Sequence, residues 1–528
     1  MIILGIGGIL SDAASAVLRD GQLVAAVEES KLTRRARAQA GRLPEESMAM
    51  CLELAGAEPR QVDCVALVRP IPSLEESGLH LSLRTRFPRA RITVIDHHQA
   101  HAASAFYPSP YQEAKVLALD RYGDFRCGSR WLAAGGRLVK IERELYAPDS
   151  LGELYGRVTD LLGFAANADE HKVQWLSAGG EDRYGEVFRD ILQYSGEEWP
   201  RLERSYFDAE RTTHGGFSSK FFEHAGLPDQ GTIPESERPH LAASLQRALE
   251  RAVAAMAGDS GNVCLAGGLA MNVLLVRSLE TSGKFSGVFV QPAGGNSGTA
   301  LGAVLESWHG LYEQKPRADL GNLCFGPGFP SGQIKRELEN CKLTFRHLLT
   351  SEELIATAVE QLGRNKILGW MHGRMEFGPR ALGNRSILAS PLDPHAAENL
   401  NTYIKHRESF RKFAASAPAE LAAEFFEVGP NARYLATVGR LREKYRKQLE
   451  SAVLAHDLIR VHTVFKEDNP LYWKLLHAAG TESGLPVLYN TSFNLFGESL
   501  VCTPRDAVRS FYSSGIDSLF IGSFLLQK

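Results

Sequence analysis

IILGIGGILSDAASAVLRDGQLVAAVEE, residues 2–29, opens on an apolar run, Ile2 to Gly7, that ends in glycines. Two further alternating apolar runs follow and turn back on each other at Asp20-Gly21, the signature of a hairpin. The same layout returns downstream. VLALD, Val116 to Asp120, is a second apolar strand, followed by Gly123-Asp124, and SRWLAAGGRLVKIE turns at Gly135-Gly136.

A strand, a polar glycine turn and a hairpin, twice in one chain, predict an α/β fold of the duplicated actin and sugar-kinase type. Such folds place two ribonuclease-H-like halves around a nucleotide. Chance similarity of two hairpins in a long α/β chain is the plainer reading of the same pattern. Later segments alternate helical and strand periodicity. His240 to Ala257 reads as a helix, Asn262 to Gly268 as a strand ending in a glycine pair, and Val288 to Ser307 as strand, glycine loop and helix. The stretch Gly326-Pro327-Gly328-Phe329-Pro330-Ser331-Gly332 is dense in chain-breaking residues and marks the exit from a first domain. A second α/β unit begins at Ser351, and RLREKYRKQLE, Arg440 to Glu450, reads as a solvated helix.

The bulk numbers bound the function. At 528 residues the chain exceeds one ordinary core, and its 44% apolar and 23% charged content is that of a globular enzyme. A net charge of -3 gives no footprint for nucleic acid or an anionic membrane. The N-terminal run lacks a cationic leader and reads as a buried strand rather than a signal peptide. Seven cysteines without a CxxC pair suit a reducing cytoplasm.

Three stretches carry chemistry. In DHHQAHAASAF, residues 96–106, His97 and His101 stand four apart and share one face of a helix that Asp96 is placed to cap. That face suits a metal with imidazole ligands, Asp120 being the best carboxylate to complete it, and it equally suits a histidine-rich helix start without chemistry. GRMEFGPRALGNRS, residues 373–386, sets Arg374, Arg380 and Arg385 among glycines, and NTYIKHRESFRKF, residues 401–413, adds Lys405, Arg407 and Arg411. Two cationic clusters in a slightly acidic chain favour an anion pocket over a solvated basic helix. VLYNTSFN, residues 487–494, runs from a strand into Asn490, Thr491, Ser492 and Asn494, which offer amides and hydroxyls to a ligand or simply make a turn.

These segments, with AAVEESKLTR, SLGELYGRVTDLLGF, DEHKVQWLSAGG, LAGGLAMN and VFVQPAGG, resemble the O-carbamoyltransferases of the nodulation and antibiotic-tailoring type almost end to end. The resemblance implies an actin-like (ASKHA) transfer domain over residues 1–345 and a YrdC-like α/β domain over 346–528 that forms carbamoyl-adenylate. It implies ATP, with Mg2+, and carbamoyl phosphate as substrates, an Fe2+ site, and a small-molecule hydroxyl acceptor such as a sugar or natural product. Matched position by position, Arg380, Lys405, Arg411, Asn490 and Ser492 hold carbamoyl phosphate. His97, His101, Asp120 and Asn296 are the iron ligands. Gly267, Gly268, Asn272 and Gly295 bind nucleotide, and Asp12, His98 and Lys172 are catalytic.

Four positions depart from the family pattern. Ser11 stands where a histidine precedes the aspartate, and Asn296 stands where a fourth, aspartate ligand is expected. Ala36 replaces a lysine, with Arg35 and Arg37 nearby, and His456-Asp457-Leu458 replaces Asp-Gly-Thr before Arg460. A non-catalytic relative that binds nucleotide or carbamoyl phosphate without transfer is the alternative these departures leave open.

Overall fold

The computed structural model describes residues 1–35, 41–194, 199–259, 261–314 and 320–528. Ala36 and Arg37 lie outside the described residues. The N-terminal run forms β1 (Ile2–Gly7), followed by the hairpin β2 (Ala14–Arg19) and β3 (Gln22–Glu28), then β4 (Cys64–Val68) and β5 (Arg91–Ile95). The sheet order is β3-β2-β1-β4-β5, antiparallel through the hairpin and parallel from β1 to β5. β1 is thus central and every one of its residues is buried, as its unbroken apolar run requires.

The second copy repeats that order. β6 (Ala114–Gly123) carries the hairpin β7 (Arg126–Ala134) and β8 (Arg137–Tyr146), and a small ribbon of β9 (Leu192–Gln193) and β10 (Arg201–Leu202) intervenes. β11 (Asn262–Ala266) and β12 (Gly287–Val290) complete a sheet in the order β12-β11-β6-β7-β8. Read from the hairpin, both sheets run hairpin, central strand, two parallel strands. The duplication read from two glycine-turn hairpins is therefore real, and it has the actin-type topology.

Each half sends its last helix to the other's sheet. His97–Phe106 follows β5 in the chain yet packs on β6 and β11, whereas Thr299–Glu306 follows β12 and packs on β1 and β2. The glycines of IILGIGG make the second packing possible. A Cβ on Gly5 would lie 2.4 Å from the carbonyl oxygen of Ala300, and one on Gly7 would lie 2.2 Å from Thr299 Oγ1. Only bare backbone admits the helix so closely.

The rest of the chain builds one ten-stranded sheet from β13 (Arg346–His347), β14 (Leu368–Met371), β15 (Arg385–Ala389), β16 (Ala414–Pro418), β17 (Phe426–Glu427), β18 (Val438–Leu441), β19 (Leu458–Val464), β20 (Leu488–Ser492), β21 (Ser518–Ile521) and β22 (Phe524–Gln527). Its order is β13-β22-β21-β14-β15-β20-β16-β19-β18-β17. Trp370, Leu388, Tyr472 and Phe520 form one core against it, and Ile387, Phe413, Tyr489 and Phe511 belong to another. Full burial of each such side chain contributes about 1.5–3 kcal/mol or more.

RLREKYRKQLE is a helix only in part. Its first two residues end β18, which pairs with β17 and β19, and a 3-10 turn at Glu443–Tyr445 and the four-residue helix Arg446–Leu449 follow. Leu441, Tyr445 and Leu449 are buried in the core beside Phe425 and Phe426, so three apolar anchors govern a segment whose charges dominate the eye.

By internal contacts the chain forms two compact units. One comprises Met1–Ile95, Asn296–Val453 and Asp457–Lys528, the other Asp96–Gly295 with Leu454–His456. Among the described residues no helix is long and apolar enough to cross a membrane.

Candidate functional site

In the second unit, Asp120, three residues before the end of β6, faces two imidazoles. Asp96 caps the helix His97–Phe106, its carboxylate accepting from the Gln99 amide at 3.0 Å, which fixes where the first turn begins. From that helix His97 Nε2 approaches Asp120 Oδ2 at 3.0 Å and His101 Nε2 approaches the same oxygen at 3.2 Å. The other oxygen, Oδ1, accepts from the amides of Arg121 at 3.0 Å and Gly268 at 3.4 Å. All three side chains are buried, and their ligand atoms lie within 4.8 Å of one another. Burial works against a charge on Asp120, but the hydrogen bonds and charges of His101 and His97 outweigh it and hold the carboxyl well below its usual range. Gly123 leaves the room this needs: a Cβ there would stand 2.1 Å from His97 Cδ2.

Two imidazoles and one carboxylate, buried and aimed at a common point, make a donor set that fits a divalent transition metal such as Fe2+. His98 faces away. Its Nδ1 meets Ser129 Oγ at 2.9 Å and its Nε2 meets the Arg126 carbonyl at 3.3 Å, so Nε2 carries the proton and Nδ1 accepts from the hydroxyl. Burial, with His97 and His101 adding to it, pulls His98 down to about 3, and the ring is neutral.

The first unit holds a group of the opposite character. Arg380, Lys405, Arg407 and Arg460 are each held below their ordinary values, first by burial and then by one another's charge and that of Arg411. Like charges held this close together are costly, and an anion among them would relieve the cost. The three arginines of the 373–386 loop divide sharply. Arg385 is fully buried and spends its guanidinium on the carbonyls of His372, Gly373, Asn384 and Pro327. Arg374 likewise holds the carbonyls of Val24, Phe325 and Gly326. These two shape the loop, and Arg380 belongs to the cation group.

Lys405 serves that group in two ways. Its Nζ donates to the carbonyls of Ser492 at 2.5 Å and Asn494 at 2.8 Å and to Asn494 Oδ1 at 2.7 Å, which commits all three N–H donors and fixes the end of β20. Its charge remains. Ser492 Oγ donates to Asn494 Oδ1 at 2.8 Å. Asn490 is buried, with Nδ2 donating to the Ala381 carbonyl at 3.1 Å and Oδ1 without a partner.

A family model described as "Carbamoyltransferase C-terminus" matches residues 359–528, and one described as "Carbamoyltransferase N-terminus" matches residues 76–305, together well over half of the chain. The chain belongs to the carbamoyltransferase family. It is 33% identical to the nodulation protein NolNO of Sinorhizobium fredii, over 98% of this chain and 79% of that protein. It is 34% identical to the nodulation protein NolO of Bradyrhizobium diazoefficiens, over 82% of this chain and 79% of that one. The 3'-hydroxymethylcephem-O-carbamoyltransferase of Amycolatopsis lactamdurans is 30% identical over 47% of this chain and 45% of its own length.

The remaining residues implicated by sequence in this carbamoyltransferase fall at distinct places. Asp12 is exposed on the turn between β1 and β2. Lys172 pairs with Asp169 at 3.3 Å and lies over the Phe164 ring. Asn272 caps the helix Val273–Thr281 and exchanges hydrogen bonds with Gln246, a structural role that its position after the LAGG turn did not announce. Gly267, at φ +91°, bends the chain around β6, where a Cβ would lie 2.1 Å from the Leu119 carbonyl oxygen. Gly268 brings its amide to Asp120, and Gly295 lies beside Met271. Asn296 belongs to the first unit, where its Nδ2 donates to Ser11 Oγ at 2.6 Å and its Oδ1 is buried without a partner.

Sequence reading missed Arg460 as a member of the cation group, although the alternation in LIRVHTV puts Arg460 and His462 on one face of β19. It also missed Lys31 within EESKLTR. That buried amine donates to the carbonyls of Glu376 at 2.9 Å and Gly378 at 2.8 Å and pairs with Glu28 at 2.9 Å, holding the loop that carries Arg380.

Proposed function

We propose that the chain is an O-carbamoyltransferase that makes carbamoyl-adenylate from carbamoyl phosphate and ATP and passes the carbamoyl group to a hydroxyl of a sugar or natural-product acceptor. The observation that carries the reading is the crowding of Arg380, Lys405, Arg407, Arg411 and Arg460 in the region where Ser492 and Asn490 end β20. Water cleaves carbamoyl phosphate to carbamate and phosphate. Carbamate oxygen then displaces pyrophosphate from the α-phosphorus of ATP, and the acceptor hydroxyl displaces AMP while losing its proton. Cations at the first two steps neutralise the departing phosphate and pyrophosphate, and adenylation gives the carbamoyl carbon a good leaving group. Asp12, exposed on its turn, is the base we assign to the hydroxyl proton.

His97, His101 and Asp120 would hold Fe2+, which polarises a carbonyl oxygen when bound. The relatives' names support the class of reaction: one is a hydroxymethylcephem carbamoyltransferase and others are nodulation proteins. The reading places the transfer domain at 1–345 and the adenylate-forming domain at 346–528, with Gly267, Gly268 and Gly295 as backbone contacts to nucleotide.

Pyrophosphate release from ATP that depends on carbamoyl phosphate, measured on the full chain and on Arg380→Ala, tests the adenylation half. We expect turnover in the wild type and a loss of about 100-fold or more in the variant. Wild-type protein that releases no pyrophosphate sinks the reading. Ser11, in place of a histidine and bonded to Asn296, favours the alternative in which ligand is bound but not transferred; pyrophosphate release without carbamoylation across a panel of hydroxyl compounds is its signature.

A further inference from the structure

The β9–β10 ribbon of the second unit borders a cavity of about 770 Å³, within the size range of pockets that hold small organic ligands. Its inner wall is apolar. Phe188, on the helix Gly185–Ile191, and Leu192, on β9, line it at 0% and 4% exposure. The indole of Trp199 completes that wall. It lies on β7, where a Cβ on Gly128 would stand 3.4 Å from the ring. Gly128 and Ser129 are successive residues of that strand and face opposite sides of its sheet. Ser129 Oγ meets His98 Nδ1 at 2.9 Å, so Trp199 and the histidine helix occupy opposite faces, and the cavity is not part of the site at Asp120.

The rim is cationic. Arg189, Arg201 and Arg251 line it, and among the described residues no carboxylate does. Arg189 meets Glu186 at 3.3 Å, but both side chains are mostly exposed and such a pair contributes little. Arg251 meets Asp182 at 3.4 Å. Alternation along β10 buries Leu202 and turns Arg201 outward, where its guanidinium has no hydrogen bond or ion pair among the described residues. A cleft lined by one sign of charge focuses its field and concentrates counter-ions, and a guanidinium fork binds a phosphate or carboxylate through paired N–H donors. The wall and the rim make different demands. A bare inorganic anion leaves Phe188, Leu192 and Trp199 in contact with water, and a neutral ring leaves the guanidiniums unanswered. An anion built on a flat ring meets both, because an indole also offers a stacking surface.

We propose that this cavity is a ligand site separate from the histidine cluster and the cation group, and that it takes an organic anion in which an aromatic ring carries a phosphate or carboxylate. Arg201 binds the acid group, Arg189 and Arg251 add to the field around it, and the ring covers Phe188, Leu192 and Trp199. None of these residues serves carbamoyl phosphate, ATP or a metal in the proposed carbamoyl transfer, so occupancy of the cavity and transfer can fail independently.

Calorimetric titration of the full chain with 1-naphthyl phosphate, 1-naphthoate, 1-naphthol and inorganic phosphate tests it. Wild-type protein is expected to bind the two aromatic acids roughly 10-fold or more tightly than 1-naphthol. Arg201→Glu, at an exposed position, should weaken both acids by about 10- to 100-fold, leave 1-naphthol within about threefold and melt within about 2 °C of wild type. Trp199→Leu keeps the wall apolar and removes the stacking surface, and should weaken both acids by about 3- to 10-fold. Inorganic phosphate should bind both variants within about twofold of wild type. Wild-type protein that binds neither aromatic acid overturns the inference outright. Binding of 1-naphthyl phosphate that Arg201→Glu leaves unchanged overturns it as well, and its loss in Arg411→Ala would then place that ligand in the cation group of the first unit. A fall in inorganic phosphate affinity by the same factor as 1-naphthyl phosphate in Arg201→Glu would reduce the cavity to a bare anion patch, which also overturns it.

Discussion

The two clusters of ionisable residues in this molecule solve opposite problems. Near the end of β6 one carboxylate faces two imidazoles, whose hydrogen bonds keep it charged despite burial, so the group is electrostatically self-sufficient. In the first unit four cations are held below their ordinary values by burial and by like charge, so that group concentrates positive charge. A self-sufficient cluster can be rigid, with its geometry already set. A cluster of like charges gains stability from any anion bound among them, and the gain is largest for the most negative one that fits.

The difference is sharpest at Arg411, whose charge depresses Arg380, Lys405, Arg407 and Arg460 alike. Arg411→Ala should lower carbamoyl-phosphate-dependent pyrophosphate release by about 10²–10³-fold. Because it also relieves repulsion, the ligand-free variant should melt no lower than wild type, and inorganic phosphate should raise its melting temperature less. A ligand-free variant that melts well below wild type would mean that the cations are structural.

The self-sufficient cluster should respond the other way. Asp120→Asn keeps the shape of the side chain and removes the charge that both imidazoles face. We expect loss of stoichiometric iron in protein prepared without oxygen, read by metal analysis, and a destabilisation of about 3 kcal/mol in the metal-free protein. Unchanged metal content would show that His97, His101 and Asp120 are a hydrogen-bonded group and nothing more.

Much of this was legible in the sequence because it is local. The duplicated hairpins, the Asp96 cap and the HxxxH face each depend on residues a few positions apart, and all appear as the pattern predicts. Which sheet a helix packs on is decided by tertiary partners that its own periodicity does not name, so the exchange of His97–Phe106 and Thr299–Glu306 between sheets left no periodic trace. Glycines at 5 and 7 were its only mark, and they read equally well as a turn. The three arginines of GRMEFGPRALGNRS look alike as letters. Arg374 and Arg385 end on backbone carbonyls and Arg380 among cations because of where the 321–328 segment runs, which no local rule contains. RLREKYRKQLE misled because charge spacing carries no information about Leu441 pairing into β18.

One further acid puts the contrast to a finer test. Glu250, on the helix Arg238–Ala257 of the second unit, accepts from Gln246 Nε2 at 2.9 Å. Burial pushes its carboxyl up to about 7, against smaller opposing effects from Gln246, Arg247 and Arg251. It is thus a buried acid without adequate compensation in the unit whose carboxylate–imidazole cluster is balanced. A carboxyl whose folded value lies above its unfolded value contributes its full stability at pH below about 4.5 and loses it as pH rises toward 7. Glu250→Gln does not titrate and keeps an acceptor for Gln246. The variant should therefore gain on wild type as pH rises, by up to about 2 kcal/mol or roughly 2–4 °C in melting temperature at pH 8, and by little at pH 5. A melting difference that does not change between those two pH values would place Glu250 among the compensated acids, and the imbalance of charge would then be confined to the cations of the first unit.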